Sequence, residues 1–94
     1  MLDDILYFNS EGRKIHMVTT NGCDSFYYKL DEVEQLLQQK DHHFARIHKS
    51  YLVNTDYITE YDKRTLTLET GQVLNISRYD YYKEVHQLKQ ALAQ

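Results

Sequence analysis

Apolar and polar positions change their period several times along the chain. From residue 5 to residue 28 the apolar residues come in short runs: Ile5-Leu6-Tyr7-Phe8, a loosely alternating β-branched stretch over 14–20, and Ser25-Phe26-Tyr27-Tyr28. Short runs bounded by turn formers predict strands. Asn9-Ser10-Glu11-Gly12 closes the first run, and Asn21-Gly22 separates the second from the third. Asn-Gly between two such runs predicts a tight hairpin, because both residues tolerate positive φ. The period then lengthens. Leu30, Val33, Leu36 and Leu37 mark one side of a helix over 30–39, with acids in its first turn and Lys40 at its end, as the macrodipole favours. Glu34, Gln35 and Gln38 are expected on its solvated outer face.

Beyond a polar break at Asp41-His42-His43, short runs return. Strands are predicted over 44–48 and 51–54, joined by Lys49-Ser50. A hairpin is predicted from 57–61 and 65–69 around Asp62-Lys63-Arg64, and a further strand over 72–76 after Thr70-Gly71. Val85, Leu88 and Leu92 mark a terminal amphipathic helix from about residue 81, with Ser77 or Asp80 as candidate caps. Strands that come in hairpins predict antiparallel sheets. The expected fold is α+β and β-rich: small antiparallel sheets of seven or eight strands, one short internal helix and a C-terminal helix.

At 94 residues the chain is one domain's length, taken as a single unit over 1–94. The apolar runs are far too short to cross a bilayer, so no membrane role is expected. Nine of the 12 aromatic residues are Tyr, which suits half-buried strands and polar-tipped surfaces. A single cysteine, Cys23, excludes an internal disulfide framework and fits a reducing compartment. Met1-Leu2-Asp3-Asp4 has no basic stretch of a signal peptide, so a cytoplasmic location is expected.

Enzyme chemistry finds little support. Cys23 follows a turn with no local base to activate its thiol. His42-His43 with His48 or His86 lacks any metal-ligand spacing, and a solvated pair is the simpler reading. His16 reads as a hydrogen-bonded sheet residue. Three glycines cannot build a phosphate-cradling loop. No catalytic residue, metal or cofactor is expected.

The cations are more informative. Arg13-Lys14 follows a Gly-containing turn, Lys49 sits between two strands beside His48 and Ser50, and Arg78 follows Ser77 near the last helix. Each site sets a long cation beside hydroxyl or imidazole donors, which suits base edges and phosphates. Isolated surface cations are common, however, and a net charge of −3 argues against a DNA binder.

Taken in order, Asp4-Ile5-Leu6-Tyr7-Phe8-Asn9-Ser10, the helix from Leu30 to Leu37, Phe44-Ala45-Arg46-Ile47-His48-Lys49-Ser50-Tyr51-Leu52-Val53-Asn54 and Leu74-Asn75-Ile76-Ser77-Arg78 resemble the LytTR DNA-binding domain, an output module of bacterial two-component response regulators. The resemblance spans almost the whole chain. It implies an elongated, mostly β fold whose loops enter successive major grooves of double-stranded DNA in transcription regulation. Carried over by position, Arg13 or Lys14, Lys49 and Arg78 would read bases, while His48, Ser50, Tyr51, Ser77 and Tyr79 would hold phosphates. It further implies a direct-repeat operator, pairing of two copies on DNA, a strand before Asp4 and an upstream receiver domain. The chain is then either a piece of a longer regulator or a short stand-alone one.

Within the same block Phe44, Ile47, Leu52 and Val53 read as core, and Asn54 as a turn residue tying down backbone. Arg46 is divided between pairing with an acid such as Asp41 and touching phosphate; Tyr51 is divided between packing and phosphate. The competing function is a protein-interaction module using a Tyr-rich surface. A metal-dependent enzyme using His42, His43 and Cys23 is the third.

Overall fold

The computed structural model describes residues 4–40 and 43–92. Eight strands and two helices follow in the order β1 Ile5–Glu11, β2 Lys14–Thr19, β3 Gly22–Tyr27, α1 Leu30–Lys40, β4 Phe44–His48, β5 Tyr51–Asn54, β6 Ile58–Tyr61, β7 Thr65–Leu68, β8 Val73–Asn75 and α2 Tyr79–Leu92. A 3-10 turn, Thr55–Tyr57, links β5 to β6. The strands form a five-stranded sheet in the order β3-β2-β1-β5-β4 and a three-stranded sheet in the order β6-β7-β8, antiparallel throughout. This is the β-rich α+β fold that the hairpin pattern predicts. It is not elongated: its principal extents are 33 × 28 × 25 Å.

Both faces of the five-stranded sheet are covered; alternation assigns residues to a face except where the β1–β2 register shifts between Ile5 and Tyr7, so that Leu6 and Tyr7 share a face. On one side α1 lays Leu30, Val33 and Leu37 against Ile5, Phe8, Ile15, Phe44 and Leu52. On the other, Leu6, Tyr7, Ala45, Ile47 and Val53 meet Ile58, Leu66, Leu68, Leu74 and Ile76 of the small sheet and its flanks, with Val85 of α2. Phe44, Ile47, Leu52 and Val53 are thus core, as expected. Val85 is fully buried and Leu88 half-buried; the side chain of Leu92 lies outside the described residues.

Asn54 ties down backbone on two sides. Its Nδ2 donates to the Ile5 carbonyl at 2.9 Å, and its Oδ1 accepts from Asp56 N–H at 3.0 Å, capping the 3-10 turn. Lys89 of α2 closes the same turn by donating Nζ to the Thr55 and Ile58 carbonyls, each at 3.1 Å.

Several expectations need correction. β1 runs on through Asn9, Ser10 and Glu11, because pairing with β2 continues to Glu11↔Lys14 and overrides their turn preference. The β2–β3 loop is Thr20-Asn21, not Asn21-Gly22: Thr19 pairs with Gly22, neither loop residue has positive φ, and Gly22 takes φ 151° just after the loop. Tyr57 belongs to the 3-10 turn rather than to β6. The last strand is Val73–Asn75, narrower than 72–76. Leu36 is 48% exposed; at 3.6 residues per turn it lies about 100° around α1 from Leu37, off the buried stripe. Neither Ser77 nor Asp80 caps α2. Asp80 lies within the first turn, and the carbonyl of Arg78 accepts from Tyr82 N–H at 3.2 Å. Expectations at Met1, Leu2, Asp3, Asp41 and His42 lie outside the described residues.

The two leucines separate the faces of α1 experimentally. Leu37→Ala is expected to cost about 2–5 kcal/mol in urea unfolding, and Leu36→Ala under about 1 kcal/mol. Equal costs would contradict this orientation of the helix.

Candidate nucleic-acid interface

Three connections meet at one end of the five-stranded sheet. The first is the β1–β2 turn, Gly12-Arg13. Gly12 takes φ 63° while Arg13 stays negative, the pattern of a II′ turn, and Arg13 is carried exposed at its tip. Lys14 begins β2, exposed, on the face opposite the buried Ile15. The second is the β4–β5 turn, Lys49-Ser50. The third is the stretch 76–78 between β8 and α2. Ser10 N–H donates to the Ser50 carbonyl at 2.8 Å, tying the first turn's strand to the second turn. Ser77 N–H donates to the Ile47 carbonyl at 2.9 Å, where the β4–β5 register slips between Arg46 and His48.

Arg46 sets the middle turn. Alternation along β4 places it with Phe44 on the α1 side, and it is 9% exposed. Its Nη1 donates to Asp31 at 2.7 Å and to Glu34 at 2.9 Å. Its Nε donates to the His48 carbonyl at 2.8 Å and its Nη2 to the Lys49 carbonyl at 2.6 Å. Burial by itself favours losing the proton; the bonds to Asp31 and Glu34 outweigh it and hold the guanidinium above its ordinary pKa. Two expectations end here: Glu34 is a structural partner rather than a solvated residue, and the acids facing Arg46 are Asp31 and Glu34. Asp41 lies outside the described residues.

His48 completes the turn. Its Nδ1 accepts from Ser50 N–H at 3.1 Å, which assigns the proton of the neutral ring to Nε2. Tyr51 stands between the His48 ring at 5.7 Å and Tyr7 at 6.0 Å, half-buried. Lys49 is exposed and shares an open concavity of about 750 Å³ with Arg13, Tyr28 and Lys29.

Arg78 is exposed yet ordered. Its Nε donates to Asp80 Oδ1 at 3.0 Å and its Nη2 to Oδ2 at 2.7 Å, and its guanidinium carbon lies 5.0 Å from the centre of the Tyr81 ring. The Asp80 hydrogen bonds hold its proton more tightly than usual. Ser77 and Tyr79 are exposed beside it. The Tyr79 ring has Lys63 Nζ at 5.9 Å and Lys83 Nζ at 6.0 Å. Lys63, Lys83 and Tyr81 carry no site role in the sequence reading, and Asp80 figures there only as a candidate helix cap. The i+2 and i+3 neighbours of Arg78 were the only available sign of the last two.

The structure therefore gathers Arg13, Lys14, His48, Lys49, Ser50 and Tyr51 on adjoining turns, with Ser77, Arg78 and Tyr79 docked to the second of them. Of the competing metal cluster, His42 lies outside the described residues, and His43 and Cys23 sit on different elements. His43 bonds Asp56 at 2.8 Å, His86 bonds the Tyr61 hydroxyl at 2.8 Å, and Cys23 is exposed on β3. Among the described residues no three His, Cys, Asp or Glu side chains could hold an ion, and no helix is long and apolar enough to cross a membrane. His16 bonds the Ser25 hydroxyl across the sheet at 2.9 Å, as expected of it.

The family model of the LytTr DNA-binding domain matches residues 1–92. The chain belongs to the LytTr DNA-binding domain family. It is thus a member of a DNA-binding rather than an enzyme family, which supports DNA binding in transcription regulation. Among solved structures the fold matches a domain described as the LytTr DNA-binding domain of a methyl-accepting/DNA response regulator from Bacillus cereus. The TM-score is 0.76 at 22% identity, over 92% of this chain and 81% of that one. No curated protein sequence matches.

Two measurements test the electrostatics of this LytTr domain. Arg46→Lys keeps the charge but loses the fork, and should cost about 1–3 kcal/mol. Faster amide exchange at Ser10, which is bonded to the middle turn, should accompany it; unchanged exchange would mean the turn holds itself. The second concerns Glu84 of α2, whose carboxyl is pushed up by burial, then by Glu34 and Asp80, with Arg46 opposing. An acid with a raised folded-state pKa binds its proton better in the native state, so stability falls as pH rises above the unfolded value. Glu84→Gln should raise the melting temperature at pH 7, with the gain vanishing below about pH 4.

Proposed function

We propose that the three connections read DNA directly, with Arg13, Lys14, Lys49 and Arg78 contacting base edges in major grooves and His48, Ser50, Tyr51, Ser77 and Tyr79 holding phosphates. The observation that carries this is the convergence of the three cationic turns at one end of the sheet, fixed by backbone bonds. Loops so held present long cations without a large ordering cost. The Nε2–H of His48 and the hydroxyls of Ser50, Tyr51, Ser77 and Tyr79 are neutral donors suited to phosphate oxygens.

Neutral donors release no counterions, so affinity should depend only modestly on salt. Binding to spaced grooves would be helped by bending of the duplex, at an elastic cost of about 1–6 kcal/mol. In this reading the domain acts in the cytoplasm as the output module of a response regulator, and two copies pair on a direct-repeat operator under an upstream receiver.

A second reading rests on Tyr27, 77% exposed at the end of β3 close to the same concavity. Such a side chain suits a protein partner.

The deciding experiment is selection of bound duplexes from a randomised pool, followed by anisotropy titrations at two or more salt concentrations. Direct readout predicts an enriched motif and a log–log salt slope no steeper than about −4. Arg13→Ala, Lys49→Ala and Arg78→Ala should each relax one part of the motif by about 5- to 150-fold while leaving the fold intact. Flat sequence content in the selected pool would sink loop readout. Absence of binding at any salt concentration would favour the Tyr27-centred protein interface.

A further inference from the structure

Arg78 differs from the other exposed cations of the interface in being held on two sides before any ligand arrives. Asp80 takes one edge of its guanidinium: the Nε and Nη2 protons are used by Oδ1 and Oδ2 at 3.0 and 2.7 Å. Tyr81 covers one face, with the guanidinium carbon 5.0 Å from the ring centre. Both partners sit in the first turn of α2, and Tyr81 is anchored by packing against the core beneath the helix. The Asp80 carboxylate is itself favoured there by the positive end of the helix. A planar fork pinned along one edge and one face has one orientation. Of its five N–H groups, Asp80 leaves the two of Nη1 and the second of Nη2, with the Tyr81 side chain as a further, weaker partner. One N–H of Nη1 and one of Nη2 form the end edge of the fork, two parallel donors that Asp80 does not use.

We propose that Asp80 is the positioning residue that makes Arg78 specific for guanine, with Tyr81 as the platform beneath the fork. The inference rests on the direct-readout reading above and adds the base that is read. Paired parallel donors match the O6 and N7 acceptors that guanine alone presents in the major groove; adenine replaces O6 by a donor amine. Asp80 acts through Arg78 and brings a negative charge close to the duplex. It therefore raises discrimination while lowering overall affinity, and these opposite signs make its role separable from a structural one.

The test measures binding of the wild type, Asp80→Ala and Asp80→Asn to the selected duplex and to versions substituted one base pair at a time. The wild type should prefer guanine by about tenfold or more at the position lost in Arg78→Ala. Asp80→Ala should cut that preference to about threefold or less, leave preferences under Arg13 and Lys49 intact, and bind unrelated duplex about two- to threefold more tightly. Asp80→Asn, which keeps one acceptor for the fork, should fall between. In the free protein, NMR should show the Arg78 Nε proton exchanging slowly in the wild type and faster in Asp80→Ala.

A uniform gain in affinity with the guanine preference unchanged would reduce Asp80 to a repulsive charge and overturn the proposal. A preference at that position for a base other than guanine would overturn it too. So would a loss at every position alike, with circular dichroism showing a weakened α2. If the wild type selects no motif at all, direct readout itself fails; the Arg78 Nε exchange then still reports whether Asp80 orders the fork.

Discussion

Arg46 is the interaction on which the arrangement of the three turns depends. It lies on β4, at the edge of the five-stranded sheet, on the face that α1 covers. A charge buried there persists only with a complete set of partners, and Arg46 has four: two carboxylates on α1 and two carbonyls in the β4–β5 turn. One planar group therefore joins helix, edge strand and turn. Two further ties converge on the same place: Ser10 N–H bonds the Ser50 carbonyl within that turn and Ser77 N–H bonds the Ile47 carbonyl just before it. A guanidinium is suited to this as an ammonium is not, since its fork reaches acceptors on two elements in one plane.

Much of the frame was legible from residue types. β4 and β5 have the bounds the sequence predicts, because a short apolar run stands on either side of the polar Lys49-Ser50 turn. The hairpin of β6 and β7 was legible for a similar reason: Asp62 Oδ1 accepts from both Arg64 and Thr65 N–H at 2.8 Å, a local device visible in the sequence as a turn. What stayed hidden depends on tertiary neighbours. Glu34 and Leu36 flank the same helical stripe on opposite sides, and periodicity alone does not say which flank meets β4. Glu34 does and Leu36 does not. The partners of Arg46 lie 12 and 15 residues away, on another element. The extension of β1 past Asn9 was likewise fixed by its pairing with β2 and not by its own preferences.

The candidate site was legible to a different degree. Arg13, Lys49 and Arg78 stood out as cations at turns, and the fold gathers their turns. Their supports were invisible, since nothing in the sequence distinguishes an aspartate that solvates from one that grips an arginine. Lys83 reaches the Tyr79 ring from one turn further along α2, an i, i+4 neighbour, whereas Lys63 comes from the β6–β7 turn and only the packing of the small sheet brings it there.

The net charge of −3 therefore bears on this domain differently from a simple sum. A count of charges treats every acid as repelling a polyanion, yet three of the acids near the interface are engaged with arginines. Asp31 and Glu34 hold Arg46, and Asp80 holds Arg78. Each such pair removes a free cation from the total attraction and turns it into a fixed direction. Arg46 is turned inward, where it shapes the turn carrying Lys49. Arg78 is turned outward with one edge left open. On the proposed reading, acidity near the interface and recognition of a base sequence are not in conflict. A surface rich in unpaired lysines gains affinity from phosphates that are the same in every sequence, whereas an arginine oriented by a carboxylate gives up part of that gain for a contact that only one base can complete.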